Sequence, residues 1–124
     1  MALAVDMCQR AYAPYSHFSV GAALLCDDGT VFTGCNVENA AYGSTICAER
    51  TALVKAVSEG YTEFTAIAIA GQGEDYCWPC GACRQMLYEF APGLKILVSR
   101  RDGEIISTTL TQLFPYGFGP KSLE

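Results

Sequence analysis

Two short segments hold the residue types that could do chemistry together: Cys47-Ala48-Glu49-Arg50 and Pro79-Cys80-Gly81-Ala82-Cys83. Cys80 and Cys83 are three apart, so on a helix their sulfurs share one face of the first turn. Cys47 would complete a set of three protein ligands for zinc and leave the fourth tetrahedral corner to water. Three ligands and an open corner mark a catalytic site, whereas four protein ligands make a structural one. Cys35 and Cys77 remain available in the sequence as a fourth ligand. Both segments open predicted helices, where unpaired N–H groups and the positive end of the macrodipole lower thiol pKa values. Thiolates, not thiols, bind the metal.

A lone C-x-x-C divides between redox, metal and coincidence. A thioredoxin-like motif follows the first strand of a βαβ unit and has no C-A-E partner upstream. A structural zinc site would want a second C-x-x-C or paired histidines. The single histidine, His17, sits in Pro-Tyr-Ser-His-Phe, where exposure or loop packing is the simpler reading. Glu49, two residues from a ligand, suits a proton shuttle if a dry pocket raises its pKa. Without the cysteines it would be only an acidic residue favoured by a helix start. Three thiolates make zinc a poorer Lewis acid, and the Arg50 guanidinium is the group placed to withdraw that charge.

C-A-E followed 33 positions later by P-C-x-x-C matches the zinc-deaminase signature H-x-E…P-C-x-x-C, with Cys in place of the His. Three further stretches, Tyr12-Ala13-Pro14-Tyr15-Ser16, Phe18 to Leu24 and Gly34 to Tyr42, agree. With them the chain resembles the small homotetrameric cytidine deaminases from about Ala11 to Phe118, with an N-terminal helix shorter than is usual there. The resemblance implies one zinc per chain and hydrolytic deamination of cytidine and deoxycytidine to the uridine forms, a step of pyrimidine salvage. It gives Glu49 as catalytic residue, Cys47, Cys80 and Cys83 as metal ligands, and Arg50 as the charge-compensating neighbour. It also implies that Asn36 and Glu38 hold the ribose, and that Tyr42 and Phe118 close the site of a neighbouring subunit.

The residues themselves say part of this. Asn36 and Glu38, two apart on a strand, would point to one face and could hydrogen-bond sugar hydroxyls. A phosphate beside Glu38 would be repelled, which favours a nucleoside over a nucleotide. Phe18 would pack on the pyrimidine ring, and the Ala48 N–H would donate to the ring carbonyl. Gly81 and Ala82 would keep the backbone close to the metal. Cys8, Cys26 and Cys35 read as small apolar fillers.

The elements that must position these groups follow from periodicity and turn residues. Ala2 to Tyr12 is helical in pattern and stops before Pro14. Phe18 to Cys26 and Val31 to Val37 read as a hairpin on Asp27-Asp28-Gly29. Cys47 to Glu59 is a helix closed by Gly60, and Phe64 to Ala70 is a strand apolar enough for burial on both faces. Cys80 to Phe90 is a helix. Leu94 to Ser99 and Glu104 to Thr108 are strands, and Thr109 to Phe114 is a brief helical turn. The predicted architecture is a single α/β domain, residues 1–124, a three-layer α/β/α sandwich with a mixed sheet of about five strands.

The chain has 124 residues, 51% of them hydrophobic and 17% charged, with a net charge of −5. That balance suits a globular domain and argues against binding a polynucleotide, which needs clustered Lys and Arg to release counterions. No apolar run approaches a membrane span, and the first ten residues do not read as a signal peptide. Seven cysteines cannot all pair, which points to a reducing, cytoplasmic setting. The expected partner is a small nucleoside, with no nucleic acid and no membrane. Besides an RNA- or DNA-editing enzyme, which the acidic balance and short chain disfavour, two other readings remain at this stage. One is deamination of a cytosine-nucleoside antibiotic, against which the Asn36-to-Tyr42 segment speaks. The other is a non-catalytic zinc-stabilised binding module.

Overall fold

A computed structural model describes residues 1–123. Its strands are β1 (Val20–Cys26), β2 (Val31–Cys35), β3 (Phe64–Gly71), β4 (Lys95–Ser99) and β5 (Ile105–Thr109). Its helices are α1 (Ala2–Met7), α2 (Ala48–Ser58), α3 (Gly81–Phe90) and the single turn α4 (Leu110–Leu113). The strands form one sheet in the order β2-β1-β3-β4-β5. All neighbouring pairs are antiparallel except β3 and β4, which run parallel and are joined by the α3 crossover. The mixed five-stranded sheet of the sequence reading is the one observed.

One face of the sheet presents Leu24, Ile67, Ile69, Ile96 and Val98 to Ala52, Leu53 and Ala56 of α2, Leu87 of α3 and Leu110 of α4. The other face offers the small side chains Ala23, Ala68 and Ala70, on which α1 lays Ala4 and Cys8. Small residues on both sides let the backbones approach closely. A Cβ on Gly21 would fall 1.9 Å from the Ala4 carbonyl oxygen. Gly34 does the same for α2: a Cβ there would lie 2.4 Å from the Ala48 oxygen and 2.6 Å from the Ala52 nitrogen. The first turn of α2 therefore rests directly on β2.

Three elements are shorter than the sequence pattern indicates, two where a tertiary backbone bond wins and one where the chain turns. The first helix stops at Met7 and tightens into a 3-10 turn at Cys8–Arg10. Beyond it, Tyr12 is drawn into an isolated parallel bridge with Val37, its N–H donating to the Asn36 oxygen at 2.9 Å. β2 stops at Cys35 because Val37 exchanges both its backbone bonds with Ile46 instead of continuing the ladder. β1 begins only at Val20, after His17 turns the chain through a positive φ of 58°. No helix among the described residues is long and apolar enough to cross a membrane.

Candidate metal centre and active-site cleft

Cys47 and Cys80 occupy the capping positions of α2 and α3, both with extended backbone, and neither helix start has a side-chain cap. The position that serine or aspartate usually fills at a helix start is thus held by a thiol in both helices. Cys83 sits one turn into α3 and is buried. The three sulfurs lie within 4.8 Å of one another, with Cys47–Cys80 at 3.7 Å and Cys80–Cys83 at 3.3 Å. All seven cysteines are free, so no bridge joins any of these sulfurs.

The donor set fits zinc. A tetrahedral ion about 2.3 Å from each sulfur sets sulfur–sulfur edges of roughly 3.8 Å, close to those observed. A second sign of fit is Arg50. Its Nη2 donates to the Cys47 sulfur at 3.4 Å and to the Thr45 carbonyl at 3.2 Å, while its Nε is buried with no partner. Hydrogen bonding from Cys83, then from Arg50 and Cys80, pulls the Cys47 thiol down to about 5. The Cys83 thiol moves up, because it donates to the Cys47 thiolate and is buried. The Arg50 guanidinium is raised in turn by its bond to Cys47.

Glu49 is 4% exposed, and burial pushes its carboxyl up to about 7, helped by the neighbouring Cys47 charge. It lines a cleft of about 190 Å³ together with Val20, Asn36, Thr45, Cys47, Ala48, Cys77, Trp78 and Cys80. Two of the three sulfur residues, Cys47 and Cys80, the Glu49 carboxyl and the start of α2 at Ala48 therefore line one volume, with Cys83 buried behind them.

The substrate-binding residues expected from sequence divide. Asn36 is in the cleft, buried and fixed: its Oδ1 accepts from the Val20 N–H at 2.9 Å and its Nδ2 donates to the Phe18 oxygen at 2.8 Å. Ala48 is also in the cleft. Asn36 and Glu38 both lie past the end of β2, not on the strand as expected, and Glu38 lines an adjoining depression of about 390 Å³ with Tyr15, Ser16, Asn39, Tyr42 and Thr45. Thr45 lines both, so the two adjoin at that residue. Hydrogen bonds from the Ser16 hydroxyl and from the Ser16 and Tyr15 N–H groups hold the Glu38 carboxyl below its ordinary pKa.

Phe18 is not in the cleft wall. Its ring lies against Gly71 and Gly73, where an added Cβ would fall 3.4 and 2.6 Å from it. The aromatic residue in the wall is Trp78, which has no role in the sequence reading. Its position next to Pro79 was the available signal. Cys77 also lines the cleft but stands outside the sulfur group, and burial pushes its thiol up to about 12. Gly81 is not needed for close approach within this chain, since a Cβ there would meet open space. Tyr42 and Phe118 are 76% and 57% exposed and project from the protomer. Cys8 and Cys26 are buried, Cys8 donating to the Ala70 oxygen, and Cys35 donates to the Arg10 oxygen, as fillers would.

Residues 1–99 match the family model described as the cytidine and deoxycytidylate deaminase zinc-binding region. A cytidine deaminase of Sporosarcina psychrophila is 48% identical over 116 residues, covering 93% of this chain and 85% of its own. A probable cytidine deaminase of Dictyostelium discoideum is 47% identical over 116 residues, covering 93% and 78%. The crystal structure of cytidine deaminase from Burkholderia pseudomallei superposes with a TM-score of 0.91 at 48% identity, covering 94% of each chain. The Mycobacterium tuberculosis enzyme does so with a TM-score of 0.81 at 40% identity, covering 95% of this chain and 93% of that one. With a zinc-binding region matched over most of its length, and three sulfurs set as such a region requires, this chain belongs to the zinc-dependent cytidine deaminase family.

Proposed function

We propose that this chain hydrolyses the 4-amino group of cytidine and deoxycytidine, releasing ammonia and the uridine forms, and that residues 1–124 act as one nucleoside deaminase domain. The observation that carries it is the buried Glu49 carboxyl, raised by burial to about 7, in one cleft with Cys47 and Cys80 of the three-sulfur group. Zinc held by Cys47, Cys80 and Cys83 supplies the Lewis acidity that makes water a nucleophile near neutral pH.

Glu49 does the proton work. As carboxylate it accepts a proton from the attacking water and delivers it to N3 of the ring, then protonates the departing amine. A carboxyl near pH 7 suits both directions, since donor and acceptor forms coexist at the working pH. Arg50 spreads the charge of the Cys47 thiolate. The Ala48 N–H, free at the helix start, donates to the ring carbonyl. Asn36 keeps one Nδ2 hydrogen beyond its bond to Phe18, and Glu38 keeps acceptor capacity, so both can reach sugar hydroxyls. Phe18, whose ring lies against Gly71 as Cys77 does, packs on the pyrimidine ring. The exposed rings of Tyr42 and Phe118 complete the site of a neighbouring copy, in a homotetramer. A net charge of −5 supports a small neutral substrate over nucleic acid, and the free cysteines support a cytoplasmic setting.

Zinc content and cytidine turnover, measured side by side for wild type and Glu49→Gln, test this. The expected result is about one zinc per chain in both and turnover in wild type alone. Turnover that survives Glu49→Gln, or zinc-replete wild type without turnover, sinks the reading.

A further inference from the structure

We propose that Trp78 is a specificity-determining residue, its indole walling the side of the cleft that faces C5 of the pyrimidine. This rests on the deaminase reading above and names what that site admits. Among the nine residues lining the cleft, Trp78 is the one aromatic, and it is 39% exposed.

The indole is held in place. Pro79 is fully buried and its carbonyl accepts from Arg84 Nε at 2.8 Å, which fixes the backbone on one side of Trp78. The Trp78 N–H donates to the Tyr76 oxygen at 3.1 Å on the other. The Tyr76 ring stands 6.2 Å from the indole, and the Arg100 guanidinium covers that ring at 5.0 Å while pairing with Asp102 at 3.0 Å. A backed ring resists displacement by a bulky ligand.

Ring connectivity then assigns what the indole faces. The reacting carbon, C4, has two ring neighbours, N3 and C5. Glu49 must reach N3, so N3 turns toward the start of α2. C5 then turns away from the start of α2, and the cleft lining outside that helix and the β1 and β2 ends is Cys77, Trp78 and Cys80, of which Trp78 alone carries a large apolar side chain. Fitting or rejecting one methyl group in an apolar pocket is worth roughly 10- to 200-fold in kcat/KM.

The test compares kcat/KM for cytidine and 5-methylcytidine in zinc-loaded wild type, Trp78→Ser and Trp78→Phe. The 5-methylcytidine-to-cytidine ratio is expected to rise about tenfold or more in Trp78→Ser. A smaller rise, in an enzyme that still turns over cytidine, overturns the proposal. Should the serine variant not fold, Trp78→Phe decides on the same criterion, since it too removes the second ring. A second measurement uses Trp78 as its own probe, because it is the only tryptophan. Titrating wild type with uridine should change its emission saturably; binding seen by calorimetry without an emission change overturns the placement. If zinc-loaded wild type does not turn over cytidine, the deaminase reading fails, and the uridine titration still judges Trp78 separately.

Discussion

Burial raises the Glu49 carboxyl from 4.5 to about 7, so the folded chain holds that proton more tightly than the unfolded one does. Stability of the metal-free protein from this group therefore falls as pH rises from about 4.5 to 7. Glu49→Gln, neutral throughout, should be more stable than wild type at pH 8, by on the order of 2–3 kcal/mol, and no more stable at pH 4. Urea unfolding with a chelator present measures it. Cys47 has the opposite sign: its pKa falls from 9.0 to about 5, so its contribution is complete above pH 9 and lost as pH drops through 5. Cys47→Ser should flatten that limb of the same profile. Arg50→Gln should weaken zinc binding by roughly 10- to 100-fold in competition with a chromophoric chelator, as loss of a group orienting a ligand does. Arg50→Lys should not restore it, because Arg50 alone spans both Cys47 and the Thr45 carbonyl. At this scale Cys80 with Cys83, and Glu49 and Arg50 with Cys47, were legible because each relation is local, within one helical turn; that Cys47 meets the other two sulfurs followed only from the signature spacing. Trp78 was passed over, and the packing of Phe18 was not legible, because what an aromatic ring packs on is decided by distant chain. Nothing in residues 16–20 announces Gly71 and Gly73.

The two helix starts work only if something presses them together, and Gly34 is part of that. Gly34→Ala would drive a Cβ into backbone of α2 at 2.4 and 2.6 Å, which no side-chain rotation relieves. A cost of about 1–3 kcal/mol is expected from such overpacking. Because the displaced turn carries Cys47, Ala48 and Glu49, bound zinc and thermal midpoint should fall together. A variant that loses stability yet keeps wild-type zinc affinity would contradict this coupling. Most elements could be read from period and punctuation to within two residues, since alternation, Gly60 and Pro92-Gly93 are local signals. Strand order could not be: the parallel pairing of β3 with β4 and the bridges of Val37 to Tyr12 and Ile46 are long-range choices. The end of β2 moved for that reason, and Glu38 moved off the strand with it.

The chain leaves large apolar side chains exposed, Tyr42 and Phe118 among them, and the proposed homotetramer would bury them. If they complete a neighbour's site, mixed assemblies of Glu49→Gln and Phe118→Ala chains should recover activity that neither parent has in full. Co-expression with differently tagged chains, followed by turnover assays on the doubly purified species, checks it; no recovery points to sites closed within one chain. The assembly was legible only through resemblance, because one sequence shows which rings are exposed-capable but not what meets them. The position of β3 has a separate bearing on how the molecule forms. β3 is the partner of β1 on one side and β4 on the other, and it separates α2 from α3 along the chain. The three sulfurs can converge only once distant segments have docked around it, a slow step governed by loop closure. Zinc should therefore act as a late lock: in stopped-flow chevrons it should slow the unfolding arm and leave the refolding arm nearly where it was.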